Sequence, residues 1–335
     1  MTETSDRAGS PEPTASQTPT ESTAAVPEVE TARIGAGEQA TGPSADGFGV
    51  EARSQWRMIM RRFVRHRLAM VALVVLLFII LLSLVGGRVW KYDHTEVTSE
   101  FSTGPTWGHP MGTNGVGNDT FAQVLRGSQK SVQIMLLVAL FSTVTGVIIG
   151  AAAGYYRGIV DSVLMRFIDL VLTIPSLAVL LVLSRTVTAS GSWFGIAVII
   201  AALVWTSIAR VVRAEVLSIR EKEYVEAARA VGAGDLRIIT RHVLPNVVGS
   251  IIVSATLTMA AAILIETTLS YLGLGVRVPD TSLGLLVSEG QTAAQTRPWL
   301  FYFPGLFIII IALCVNFIGD GLRDAFDPKQ TRVRA

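Results

Sequence analysis

Six apolar stretches recur along the chain, separated by polar segments, and each approaches the length of a bilayer crossing. They run from Leu68 to Gly86, Val132 to Gly154, Val163 to Ser184, Trp193 to Val212, Val247 to Ile265 and Leu300 to Gly319. A helix of about 20 apolar residues, rising roughly 1.5 Å per residue, spans the hydrocarbon core. The first two stretches are uncharged. The third holds Arg166 and Asp169 near its start, the fourth ends on Arg210, and Glu266 closes the fifth. Single runs of this length satisfy their backbone in lipid only as helices. The pattern predicts an all-α polytopic membrane protein with six transmembrane helices.

The basic residues orient these helices, because loops on the cytoplasmic side collect Lys and Arg. Six arginines, from Arg53 to Arg67, precede the first span. The segment between the fourth and fifth spans holds Arg210, Arg213, Arg220, Lys222, Arg229, Arg237 and Arg241, and the C-terminus holds Arg323, Lys329, Arg332 and Arg334. Both termini and the loops 155–162 and 213–246 are therefore expected in the cytoplasm, with 87–131 and 267–299 outside. Residues 1–50 break the pattern altogether. They are rich in Thr, Ser, Pro, Ala, Glu and Gly, with eight Asp/Glu against two Arg. With no apolar run to offset the entropy of ordering, they read as a disordered cytoplasmic tail, and they lack the basic-then-apolar layout of a signal peptide. Residues 51–131 then hold the first span and an external loop, 132–319 a five-helix core, and 320–335 a cytoplasmic C-terminus.

Composition sharpens this picture. Half of the residues are hydrophobic and 16% are charged, against about 25% charged in an ordinary soluble domain. The net charge of +2 divides into −6 on the tail and +8 on the rest. The single cysteine, Cys314, excludes an internal disulfide framework and reads as a small buried hydrophobe. Gly146, Gly150 and Gly154, spaced by four, give one helix a smooth face for close backbone approach, within the chain or at a subunit interface. Pro175 is expected to kink the third span. Arg166 and Asp169 lie three apart and can pair on one face. Asp169, Pro175 and Glu266 are candidates for a pore or gate. Glu266 reads either as an interfacial carboxylate or as a pore-facing contact for a peptide's amino terminus.

The loop 213–246, RAEVLSIREKEYVEAARAVGAGDLRIITRHVLPN, is too long for a plain connector. Leu217, Tyr224, Ala228 and Val231 fall at helical spacing and predict an amphipathic helix. Gly232 and Gly234 break it. Asp235 is placed to cap a second short helix with Leu236, Ile238 and Ile239 on its apolar positions, and Pro245 stops that helix or begins the next. A helix–turn–helix with an apolar stripe and a basic rim suits docking on a soluble partner. A partnerless hairpin on the membrane surface is the plainer alternative. Nucleic-acid binding is excluded, because spans tether both ends and membrane orientation already accounts for the charge.

The residues of this loop also carry a resemblance. Glu226-Ala227-Ala228, Gly232 and Leu244-Pro245 resemble the EAA loop of ATP-binding-cassette importer permeases: EAA, three residues, Gly, nine residues, Ile, one residue, Leu-Pro. His242 stands at the Ile position, as is usual in the dipeptide/oligopeptide subfamily. The segments His109-Pro110-Met111-Gly112-Thr113, Gly154-Tyr155-Tyr156, Ile174-Pro175-Ser176, Ser270 to Gly275 and Gly319 to Asp324 are similar to its C-type subunit, over about residues 55–330. Asn114 and Asn118 stand where Asp and Arg are usual. The resemblance implies a type I importer (MetI-like) permease fold and a half-pore completed by a B-type permease subunit. It implies that Glu226, Ala227, Ala228, Gly232, His242, Leu244 and Pro245 couple to two cytoplasmic ATPase subunits carrying ATP and Mg. It further implies an extracytoplasmic peptide-binding protein, in a bacterial cell membrane. Nickel chelates or glutathione are the alternative cargoes.

Other classes lack their residues. The four lysines are Lys91, Lys130, Lys222 and Lys329, none following Gly, so no Walker phosphate loop exists and no cofactor is expected on this chain. A secondary transporter needs ionisable groups near the midplane, whereas Arg166, Asp169, Arg210 and Glu266 lie toward the span ends. The histidines His66, His94, His109 and His242 are scattered over loops and flanks without HExxH or GxSxG spacing, so neither a metal site nor an enzyme is expected.

Overall fold

The computed structural model describes residues 55–188 and 192–326; the expected tail and the extreme C-terminus lie outside them. Among the described residues, eleven α-helices follow in order. They are α1 (Gln55–Arg65), α2 (Arg67–Val89), α3 (Thr120–Tyr156), α4 (Gly158–Thr173), α5 (Ser176–Thr188), α6 (Trp193–Arg220), α7 (Glu223–Ala230), α8 (Asp235–Ile238), α9 (Leu244–Tyr271), α10 (Leu283–Gln291) and α11 (Trp299–Phe326). Five helices are long and apolar enough to cross a membrane, and the bent pair α4–α5 makes up to six.

Local chemistry fixes the helix starts. The imidazole Nδ1 of His66 accepts from the Ala69 amide and opens α2. Asp119 caps α3 by accepting from the amides of Phe121 and Ala122, where the helix dipole favours a carboxylate. Ile174-Pro175 breaks the third span, and the two halves meet at 81°. A proline lacks the amide that would continue the ladder, and it disfavours helical backbone in the residue before it.

Helix α3 packs most extensively on α6. The glycine stripe explains why. A Cβ on Gly146 would lie 2.8 Å from Ile208 Cβ, one on Gly150 2.5 Å from the Ala209 carbonyl, and one on Gly154 2.8 Å from the Arg213 carbonyl. The stripe therefore faces α6 of the same chain. Lipid chains are as apolar as leucine, so close packing rather than burial from water holds such a pair. One apolar core joins α2, α3, α9, α10 and α11 through residues such as Met135, Ile263 and Ile311. A second joins α3, α5, α6 and α9 through Ile134, Ile200 and Leu269. Both described termini lie at one end of this bundle, where His66 meets Asp324 and Phe326 packs on Gly249.

Candidate functional site

The loop between α6 and α9 lies at the termini end and is built in two layers. Its inner layer is apolar: Val225, Ile238, Val243 and Val247 are fully buried against Val212, Val216 and Ile208 of α6 and Ala151 and Tyr155 of α3. Its outer layer is α7 with the turn behind it. Glu223 and Glu226 occupy the first turn of α7 and Arg229 the last, which matches the helix dipole at both ends. The helix closes with the Gly232 amide on the Arg229 carbonyl and the Ala233 amide on the Ala228 carbonyl. This pair of bonds is a Schellman cap, and it puts Gly232 at φ +84°. A side chain there would meet nothing within 4 Å, so glycine is required by the backbone rather than by space.

The apolar spacing of this loop is distributed differently from the sequence expectation. Leu217 belongs to α6, which runs on to Arg220 before the chain breaks at Glu221-Lys222. The buried position of α7 is Val225, whereas Tyr224 is 44%, Val231 89% and Leu236 74% exposed. These three exposed side chains belong to the apolar spacing expected to dock on a partner, while the residue that anchors α7 inward, Val225, lies outside that spacing. Asp235 also differs: Gly234 is the cap residue of α8, and the Asp235 carboxylate accepts from the Tyr155 hydroxyl at 2.8 Å. Pro245 begins α9, which joins α8 through a π-helical turn at Ile239–Val243. Glu226, Ala227 and Pro245 are exposed, while Ala228, His242 and Leu244 are half-buried.

The remaining sequence candidates sit elsewhere. Asp169 pairs at 2.6 Å with Arg210 of α6 rather than with Arg166 on its own helix, and the pair is half-exposed. Pro175 is exposed at the α4–α5 break. Glu266 faces no opening in the chain. It is fully buried, accepting from Ser270 at 2.7 Å and Ser131 at 3.2 Å, while Ser131 also accepts from the Leu283 amide. This corrects both readings of Glu266. Ser270 lies four residues on along the same helix, whereas Ser131 comes from α3, 135 residues away, which no local pattern signals. Hydroxyl donors here supply the polar contacts that water supplies at an interface.

At the end opposite the termini, a cavity of about 560 Å³ lies between the 90–120 segment, α10 and the start of α11, lined in part by Asn114, Asn118, Gln123, Asp280 and Arg297. Asp280 binds Lys130 and Arg126 at 2.8 Å each. Burial opposes its ionisation, but hydrogen bonds from both cations outweigh that and hold its carboxyl below the usual carboxylate range. His109 is buried, stacked on Tyr92 and bonded to Asp119 at 3.0 Å, while His94 pairs with Asp93. Among the described residues, no three His, Cys, Asp or Glu side chains converge as metal ligands.

These spans and this loop define a multi-pass membrane transport component. The chain belongs to the family of binding-protein-dependent transport system inner membrane components, which matches residues 146–332, and residues 54–105 match the N-terminal transmembrane domain of oligopeptide transport permease C. It is 39% identical over 85% of its length to the oligopeptide transport system permease protein OppC of Mycobacterium tuberculosis, covering 98% of that protein. The OppC protein of Bacillus subtilis is 36% identical over 85% of this chain and 93% of its own length. A putative peptide transport system permease protein of Brucella abortus is 40% identical over 80% of this chain and 90% of its own length. A chain in a solved structure of the MetNI methionine ABC transporter aligns with TM-score 0.49 and 19% identity, over 62% of this chain and 97% of that chain. The chain is thus an inner-membrane permease component of a binding-protein-dependent transport system.

Proposed function

We propose that this subunit forms half of the pore of an ATP-driven importer of di- and oligopeptides, and that the α7–α8 loop is where separate ATPase subunits dock. The observation that carries the docking role is the two-layered loop. Large apolar side chains, Tyr224, Val231 and Leu236, stand exposed on the same loop as Glu226, on a scaffold anchored by the buried Val225 and Ile238. Exposed apolar groups rimmed by charge, held rigidly, suit burial by a folded partner. The peptide cargo is supported by the names of the relatives; nickel chelates or glutathione are the other cargoes such a pore would carry. The partners in this reading are a B-type permease subunit, two ATPase subunits holding ATP and Mg, and an extracytoplasmic binding protein. The arginine distribution supports a cytoplasmic position for both termini and the α7–α8 loop, in a bacterial cell.

Two variants test the docking surface. Glu226→Lys reverses a charge on the exposed layer of the loop. Gly232→Val imposes about 1–3 kcal/mol of backbone strain on the cap. Both are expected to reach the membrane at normal levels, because no span depends on this turn, yet to co-purify with less ATPase and to import less labelled peptide. Normal ATPase capture and normal uptake in both variants would refute the docking role. Competition of the uptake by unlabelled peptide, but not by glutathione or a nickel chelate, decides the cargo.

A further inference from the structure

A second set of contacts behind the docking surface ties the loop to the spans. Tyr155, one residue before the end of α3, is 3% exposed. Its hydroxyl donates to Asp235 of α8 at 2.8 Å. Its ring lies under the guanidinium groups of Arg220 and Arg229, at 5.5 and 5.9 Å from the centroid, and its carbonyl accepts from Arg220. The next residues turn the chain sharply, with Arg157 at φ +57° and Gly158 at φ +56°. Arg157 then pairs with Glu221, in the break before α7, at 2.5 Å. Asp161, in the first turn of α4, takes both arms of Arg213 of α6, at 2.5 and 2.6 Å. One corner of four residues, Tyr155–Gly158, thus contacts the end of α6, α7 and the start of α8.

Three features separate this corner from ordinary loop packing. The contacts are directional and polar, so they hold an angle as well as a distance. A non-glycine residue persists in the left-handed region, which requires that its surroundings define the conformation. The same corner is the junction between α3, locked to α6 by the glycine stripe, and α4, which begins the bent and largely uncovered pair. A displacement of α7–α8 therefore meets both the rigid and the loose part of the bundle at this corner.

We propose that the Tyr155–Gly158 corner is the joint that transmits movement of the α7–α8 pair to the translocation helices, with the Tyr155–Asp235 hydrogen bond as its transmitting contact. This rests on the docking role assigned to the loop. Tyr155 is in this sense a positioning residue, touching neither cargo nor ATP. An allosteric coupling of this kind requires that the contact exist with different strength in the two states of the transporter. Removing it leaves each site intact and weakens the link between them.

The test uses the full complex with its ATPase subunits and binding protein, reconstituted in vesicles, with radiolabelled trialanine as probe. ATP hydrolysis and uptake are measured on the same preparation. Tyr155→Phe keeps the ring and both cation–π contacts and removes only the hydroxyl. Asp235→Ala removes the acceptor from the exposed side, so the buried ring is untouched should Tyr155→Phe fold poorly. Each is expected to retain ATPase subunits and hydrolysis while the ATP consumed per peptide imported rises about five- to tenfold, the scale of one ordinary intramolecular hydrogen bond lost. The double variant is expected to match the singles, since both remove the same contact. A merely structural tyrosine would lower abundance and both activities together and leave that ratio unchanged. A wild-type ratio in both single variants overturns the joint, and so does an additive double variant. If Glu226→Lys loses ATPase in the same assay while Tyr155→Phe keeps the normal ratio, the docking surface stands and the joint alone falls.

Discussion

Helices α3 and α6 and helices α4 and α5 are neighbours, built from similar proportions of apolar residues, and they behave oppositely. Along α3 the residues facing α6 are glycines four apart, and backbone meets backbone. Along α4 and α5 the apolar side chains are large, and most are exposed: Val163, Phe167, Leu170, Ile174 and Leu177 are each at least half-exposed, while Ile168 is the fully buried residue of α4. Residue size, rather than hydrophobicity, therefore decides which helices of this bundle hold one another. In a lipid environment that is the expected rule, because burying a leucine against protein gains little over burying it against acyl chains.

The comparison can be broken at its tight side. Gly150→Leu forces a side chain toward the Ala209 carbonyl, where even a Cβ would lie 2.5 Å away. Backbone cannot yield as a flexible side chain can, so the variant is expected to lose about 3 kcal/mol or fail to accumulate. Membrane abundance and the thermal midpoint in detergent check this; a stable Gly150→Leu protein would show that α3 and α6 can part without cost. A smaller effect is expected where the two regions meet. Asp161→Asn leaves Arg213 with a neutral partner in a partly buried setting, and a loss of about 1 kcal/mol follows once solvent screening is allowed for. Asp161→Asn and Arg213→Gln together should cost no more than the worse single variant, as measured by a double-mutant cycle. The smallest effect belongs to the loose side. Pro175→Ala, at an exposed break, is expected to shift stability by about 0.5 kcal/mol or less, with the thermal midpoint as the measure. A large loss there would mean that the bend is held by contacts within this chain.

Much of this was legible before the fold was known, and the reason differs by element. The six spans follow from run length alone, because bilayer thickness sets one scale for all of them. Gly232 was legible because a helix stop followed by a left-handed residue has a strong compositional signature, and the structure supplies the two cap bonds that require it. The partner of Asp169 was not. Spacing offered Arg166 three residues away, while the actual partner, Arg210, comes from another helix at a separation of 41 residues. The burial of Glu266 was hidden for the same reason, since Ser131 is 135 residues distant, although Ser270 lies only four residues along its own helix. The anchoring role of Val225 was hidden for another: in a helix of eight residues only the position of α6 shows which side chain turns inward. Local chemistry could be read from this sequence, but pairing across helices could not.

The π-helical turn at Ile239–Val243 has a mechanical meaning. It lets α8 run into α9 without a break, so that Asp235–Tyr271 is a single rod of 37 residues, about 55 Å long at helical rise. Asp235 stands at one end of that rod, and Glu266 and Ser270 stand near the other. A hinged loop would absorb a push at the near end as local bending. A rod works as a lever: a tilt of about 10° around its midpoint carries each end roughly 5 Å, in opposite directions, by the same helical dimensions. The sealed carboxylate and the exposed loop are thus opposite arms of one beam.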